Sequence, residues 1–129
     1  MSTSKAIQII LARQLASCVA MPILIVDAEG TLIYYNEPAE VLLNKRFDET
    51  GEIPADEWND LVAVADEDRN PILPEERPMR AALLQRKPIS RTVWTRSGDS
   101  QWRHLQVTAF PIVGEGDRLL GAMNIFWEI

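Results

Sequence analysis

Residues 22–36 read Pro-Ile-Leu-Ile-Val-Asp-Ala-Glu-Gly-Thr-Leu-Ile-Tyr-Tyr-Asn, and this stretch decides the fold. Ile23-Leu24-Ile25-Val26 is wholly apolar and rich in β-branched residues, the pattern of a central strand buried on both faces. Asp27-Ala28-Glu29-Gly30 is turn material, with Gly30 free to take a positive φ. Thr31 to Tyr35 returns as a second strand, so residues 23–35 form a β-hairpin. Asn36 stands where a helix N-cap belongs. Glu37 and Pro38 fill the first turn, where an acid suits the dipole and a missing N–H costs nothing. Ala39, Val41, Leu42 and Leu43 give this short helix an apolar face.

On the N-terminal side, residues 4–20 read as an amphipathic helix. Ile7, Ile10, Leu11, Leu15 and Cys18 recur at three- and four-residue steps, with Lys5, Gln8 and Arg13 off that face. Ser2, Thr3 or Ser4 can cap it, and Pro22 stops it. On the C-terminal side, residues 48–76 hold eleven acids and one base, Arg69. Trp58, Leu61, Val62 and Val64 interrupt them, and Asn70-Pro71 and Leu73-Pro74 break the segment into short helical turns and loops. A further helix starts near Pro78, buries Met79, Ala82 and Leu83, and ends at Lys87-Pro88.

The last third is strand-like. Residues 89–96 alternate, Ser97-Gly98-Asp99 turns, and residues 102–112 form a long alternating strand. Leu105, Val107 and Ala109 mark one of its faces, and His104, Gln106 and Thr108 the other. Residues 114–117 turn again, and residues 119–127 make a final apolar strand. Three strands joined by tight turns are antiparallel neighbours, so an antiparallel sheet with helices gathered on one face is expected, an α+β arrangement.

Composition bounds the function. At 129 residues, with 47% apolar and 25% charged residues, the chain suits one globular domain with its own core. A net charge of −6, from 13 bases and 19 acids, argues against a nucleic-acid partner. One cysteine and one histidine exclude a disulfide framework and a thiolate or histidine metal centre. No apolar run is long enough to span a membrane, and no signal peptide is evident. A cytoplasmic setting without membrane or nucleic-acid partners is the expectation.

In order, Asp27-x-x-Gly30 with its strand and Asn36, Leu73-Pro74, Pro78 with Arg80-Ala81-Ala82-Leu83, and Ile89 through Trp94 resemble the PAS domain family. Arg96-Ser97-Gly98-Asp99, Val107-x-Ala109-x-Pro111-Ile112, Gly121 and Glu128-Ile129 continue the likeness, which covers about residues 21–129. It implies a five-stranded antiparallel sheet in the order 2-1-5-4-3, with helices over its concave face enclosing a small cavity. It also implies a signal-sensing or interaction role rather than catalysis. Residues 1–20 would then be a dimerisation or signal helix ahead of a PAS domain at 21–129.

The cofactors of similar sensors do not fit. The helix beginning near Pro78 lacks the histidine that haem sensors carry there, and His104 falls on the outer sheet face. Residues 48–76 lack the reactive cysteine of the flavin sensors, and Cys18 reads as a small buried hydrophobe on the first helix. Strand phase carried over from the family gives a lining of Leu24, Val26, Leu105, Val107, Ala109, Met123, Ile125 and Trp127. Val41, Leu42, Leu61, Met79 and Leu83 would close it from the helix side. Ordinary core packing and a pocket for a small apolar ligand, helped by an arginine such as Arg91, both suit such a lining. The same phase puts Ile23, Ile25, Trp102, Asn124 and Phe126 on the outer face. The first helix, through Ile7, Leu11, Leu15 and Cys18, is expected to cover that face and build a homodimer, with a signalling protein as a further partner.

The acidic insert contrasts with residues 77–103, which hold seven bases and one acid, Asp99. Internal charge pairing and a two-pole docking surface are the alternatives. A small proton-transfer enzyme using Asp27, Glu37 or Glu40 is a remote third reading, since no nucleophile–base–orienter set accompanies them.

Overall fold

Asp27 closes the deciding hairpin as expected. In the computed structural model, which describes residues 7–97 and 101–129, its Oδ1 accepts from the N–H groups of Glu29 at 2.9 Å and Thr31 at 3.0 Å. Gly30 sits at φ +92°, a conformation that side chains resist. This turn joins β1 (Ile23–Asp27) to β2 (Leu32–Tyr35), with Leu24 opposite Tyr35 and Ile25 opposite Tyr34. The expected caps Ser2, Thr3 and Ser4, and the Gly98-Asp99 turn, lie outside the described residues.

The chain runs α1 (Ile7–Cys18), β1, β2, α2 (Glu37–Leu43), α3 (Phe47–Thr50), α4 (Ala55–Leu61) and β3 (Val62–Ala65). A one-turn 3-10 helix (Pro74–Glu76), α5 (Pro78–Gln85), β4 (Ile89–Ser97), β5 (Arg103–Val113) and β6 (Leu119–Glu128) complete it. All strands belong to one antiparallel sheet in the order β2-β1-β6-β5-β4-β3. This is the expected topology with one addition. Residues 62–65, read as loop, form a sixth, edge strand that pairs with β4 from Val62↔Ser97 to Ala65↔Trp94. Val-Ala-Val-Ala is too short to announce itself among eleven acids, but a four-residue edge strand needs only one partner.

At Gly121 the backbone of β6 lies close against β1. A Cβ there would stand 2.1 Å from the Val26 carbonyl oxygen, so only glycine permits the pairing of Asp27 with Gly121.

Two apolar clusters lie on opposite faces of the sheet. The inner one gathers Leu24, Val26, Leu105, Val107, Ala109 and Phe126 with Trp58, Met79 and Leu83 from the helices. The outer one joins Ile23, Ile25, Ile33 and Met123 to Ile9 and Ala16 of α1. Met123, Ile125 and Trp127 therefore face outward, and Asn124 and Phe126 face inward, one residue out of the expected phase. The register shows why: Val107 stands opposite Phe126, and Ala109 opposite Asn124. Residues 119–127 are apolar on both faces, so their alternation carries no phase signal, and a one-residue shift exchanges every side chain.

Candidate functional site

The helices do not pack flush on the inner face. Between them and the sheet lie two adjoining cavities that share Trp58, Arg77 and Met79 in their walls. The outer cavity, about 360 Å³, opens between the β1–β2 turn, α4 and the start of α5, with Glu29, Asp56, Glu75 and Arg80 at its rim. The inner one, about 60 Å³, is walled by Leu24, Leu42, Val93, Leu105, Val107 and Phe126 against the sheet.

Local chemistry holds the partition in place. Trp58 on α4 is buried and donates from Nε1 to the Gly30 carbonyl at 3.0 Å, so the positive-φ turn and the indole fix each other. Arg77 is the residue before α5. Pro78 takes the first helical position, which constrains Arg77 to an extended backbone at φ −67°, ψ 150°. One guanidinium nitrogen of Arg77 reaches the Asn59 carbonyl at 3.4 Å. Its Nε is buried without a hydrogen-bond partner, as is Oδ1 of Asn124 across the inner cavity. Burial holds the Arg77 pKa below its ordinary value, and the charge of Asp60 opposes that shift.

Of the residues expected to line a pocket, Leu24, Leu42, Leu105 and Val107 wall the inner cavity, Val26 and Leu83 the outer, and Met79 both. Leu61 and Ala109 belong to the core without reaching either cavity. Val41 does not close the site: it is 69% exposed on the far side of α2. Met123 and Ile125 lie on the opposite sheet face, and Arg91 lines neither cavity. Sequence reasoning missed Trp58, Arg77 and Asn124. The one available signal is a polar residue inside an otherwise apolar strand, Asn124, which the phase carried over from the family puts on the outer face.

The outer face is shared between α1 and a surface stack. On α1 the buried side is Ile9 and Ala16, at 4% and 0% exposure, whereas Ile7, Leu11 and Leu15 are 66%, 57% and 59% exposed. The helix does cover the sheet face that contains Ile23 and Ile25, but with the side that carries Ile9, Ala12 and Ala16. Its apolar stripe points away, and Cys18 is exposed rather than buried. Beyond α1, Arg69 lies 3.8 Å over the Trp94 ring, and Trp94 stacks on His104 at 4.3 Å. His104 pairs with Glu67 at 2.8 Å. Trp102 lies under Arg96, 4.9 Å from its guanidinium.

Two of the acids weighed for catalysis, Asp27 and Glu40, are occupied elsewhere. Asp27 holds its turn, and Glu40 accepts from the Phe47 N–H at 2.8 Å. Among the described residues no group of three or more histidine, cysteine or acidic side chains could hold a metal ion, and no helix is long and apolar enough to cross a membrane.

No curated protein matches the chain in sequence. Among solved structures, the PAS domain of BvgS from Bordetella pertussis superposes with a TM-score of 0.68 at 20% identity, over 96% of this chain and 88% of that one. The LOV protein of Rhodobacter sphaeroides gives a TM-score of 0.71 at 13% identity, over 96% and 68%. The light-state dimer of the fungal blue-light photoreceptor Vivid gives 0.63 at 11% identity, over 99% and 97%. At such identities the likeness is one of fold. The sequence model described as the PAS fold matches residues 19–129, most of the chain. With that match, the strand order and the helix-covered inner face, the chain belongs to the PAS family.

Proposed function

We propose that this chain is a PAS sensing and interaction domain that works as a homodimer, with residues 1–20 as the dimerisation and signal helix and residues 21–129 as the sensing unit. The observation that carries the reading is the orientation of α1. The side with Ile9 and Ala16 already packs on its own sheet, and Ile7, Leu11 and Leu15 remain exposed at four-residue steps. A stripe of this kind is what a second copy covers by two-fold packing, because the same patch then serves both partners. Vivid, which shares the fold, is described as a dimer in its light state. A stable interface would bury on the order of 1,200 Å² or more in total. Displacement of α1 then offers a route from the sensing unit to the second subunit.

The core cavities support a sensing role over a purely structural one, with a small ligand between the sheet and α4–α5. Nothing in the geometry favours an enzyme.

The test is sedimentation velocity over a dilution series. The intact chain should dimerise, and the double variant Leu11→Lys, Leu15→Lys should be monomeric with an unchanged circular dichroism spectrum. A chain that stays monomeric at high concentration, or a double variant of unchanged dimer affinity, would refute the proposal.

A further inference from the structure

Three of the four tryptophans lie on the outer face of the sheet, beyond the part that α1 covers; the fourth, Trp58, is in the core. Val93 and Phe126 point inward, so Trp94 and Trp127 beside them point outward. Two of the three rings carry a guanidinium. Arg69 lies 3.8 Å over Trp94, and Arg96, two residues along the same face of β4, lies 4.9 Å over Trp102. His104 supports Trp94, with its plane within 9° of the indole.

A guanidinium laid on an indole is held in place while its N–H groups stay free to donate. Here they are unspent. Arg69 and Arg96 are exposed, and their side chains make no ion pair or hydrogen bond with another described residue. Most acids close by are committed. Glu67 pairs with His104 and Glu128 with Arg103, each at 2.8 Å. Asp66 accepts from the N–H groups of Asp68 and Asn70 in its own turn. Asp68 alone in that turn keeps an unspent carboxylate. A chain of net charge −6 therefore presents two positioned, unneutralised guanidinium groups on an aromatic floor.

Charge complementarity selects the occupant. Tryptophan and arginine are the side chains that dominate binding hot spots, and a guanidinium edge is best met by a carboxylate. A second copy laid on this face by two-fold symmetry would bring the arginines of both copies together, which is unfavourable. Nucleic acid also suits arginine and aromatic rings, but the net charge opposes it. We propose that this face docks an acidic peptide segment of another protein. Its carboxylates accept from the guanidinium groups of Arg69 and Arg96, and its apolar side chains lie on Trp127, which is 42% exposed. The proposal goes beyond the dimer and the core ligand and requires neither.

The experiment is a fluorescence-anisotropy titration of the full chain into a dye-labelled short peptide of glutamate, leucine and serine. Matched peptides with glutamine or lysine in place of glutamate, and an oligothymidylate, are run beside it. The glutamate peptide should bind saturably, at least tenfold more tightly than the other three probes, and more weakly as salt rises. Arg69→Gln and Arg96→Gln should each weaken it at least threefold, and the double substitution should reduce it to the level of the glutamine peptide. Arg69→Lys and Arg96→Lys keep the charge but lose the planar stack, so they should fall between; they carry the comparison if a Gln substitution prevents folding. The indole N–H resonances locate the site: those of Trp94 and Trp102 should shift on binding, and that of Trp58 should not. Equal binding of the glutamine peptide, or tighter binding of the lysine peptide or the oligothymidylate, would overturn the proposal. So would unchanged affinity after the double substitution, a shift confined to Trp58, or no saturable binding of the glutamate peptide.

Discussion

The side-chain amide of Asn36 donates to the main-chain carbonyl of Ala16 at 2.9 Å, tying the last turn of α1 to the junction between β2 and α2. The same Nδ2 reaches the Met21 carbonyl at 2.9 Å. Oδ1 accepts from the N–H groups of Ile23 at 3.0 Å and Ala39 at 3.2 Å. One buried side chain therefore caps α2, aligns the start of β1 and fastens α1 to the domain.

Asn36→Ala should cost far more than a lost cap. A cap alone is worth about 1 kcal/mol. Here the buried Ile23 N–H also loses its partner, and the Ala16 carbonyl keeps only the Val19 N–H at 3.3 Å, which raises the expected loss to about 3 kcal/mol. Urea denaturation measures it. A loss near 1 kcal/mol would mean that the amide acts as a cap and nothing else. Asn36→Asp keeps the acceptor oxygen but sets a buried carboxylate against the Ala16 and Met21 carbonyls, so it should cost at least as much as Asn36→Ala.

Two glycines should respond in different ways. Gly30→Val forces a β-branched residue to φ +92°, a strain of about 1–3 kcal/mol. Gly121→Ala adds only a methyl group, yet that methyl would lie 2.1 Å from the Val26 carbonyl oxygen. It must push β1 from β6, and it should cost at least as much as Gly30→Val in the same denaturation assay. A tolerated Gly121→Ala would show that the β1–β6 pairing at Asp27 is looser than described.

The hairpin, the helix start at Asn36 and the antiparallel adjacency of the last three strands could be read from residues 22–36 and from the spacing of those strands, because local turn chemistry and alternation specify them; the placing of β1 beside the last strand came only with the PAS resemblance. The face of β6 could not. Leu119, Leu120, Met123, Ile125 and Phe126 are apolar on both sides, and the polar Asn124 points into the core. The first helix misled for a related reason. Leu11 and Leu15 make the conspicuous stripe with Ile7, but Ile9, Ala12 and Ala16 form a second apolar side, and that one takes the sheet. Of the candidate site, the walls from β1 and β5 were legible from strand phase, through Leu24, Leu105 and Val107. The helix half was not, since Trp58 and Arg77 are brought to the cavity by irregular segments with no period to follow.

The two tyrosines predict alkaline behaviour. Burial raises the pKa of Tyr34 despite the opposing charge of Arg13, and raises that of Tyr35 despite its hydrogen bond to Thr50 at 3.0 Å. In the folded state both phenols hold their protons above the usual value, about 10, at which the unfolded chain releases them. Their contribution to stability is complete below that pH and is lost as pH rises through the folded values. The denaturation midpoint should fall above pH ~10, and phenolate absorbance should appear later in the folded chain than in urea. Coincident titration curves in the two states would contradict the burial argument.

Ala16 offers the sharpest test of how α1 is held. Its side chain is fully buried against the outer sheet face, in a cluster with Ile9, Ile23, Ile25 and Met123, and its carbonyl receives the Asn36 bond. Ala16→Leu adds three carbons where there is no room. Overpacking of this kind costs about 1–3 kcal/mol. The inner core lies on the opposite face of the sheet, so the strain should be relieved by lifting α1 rather than by unfolding the sheet. Hydrogen exchange should quicken in α1 and leave β5 protected, and the uncovered Ile23, Ile25 and Met123 should bind a hydrophobic dye. Deleting residues 1–20 would expose the same surface, so a change of oligomeric state after deletion would mix lost dimer contacts with new adhesion. Ala16→Leu keeps the stripe of Ile7, Leu11 and Leu15 and alters only its anchorage. If the dimer is built on a docked α1, its affinity should fall in this variant. A variant with rapid exchange in α1 and undiminished dimerisation would show that the helix self-associates without reference to the sheet.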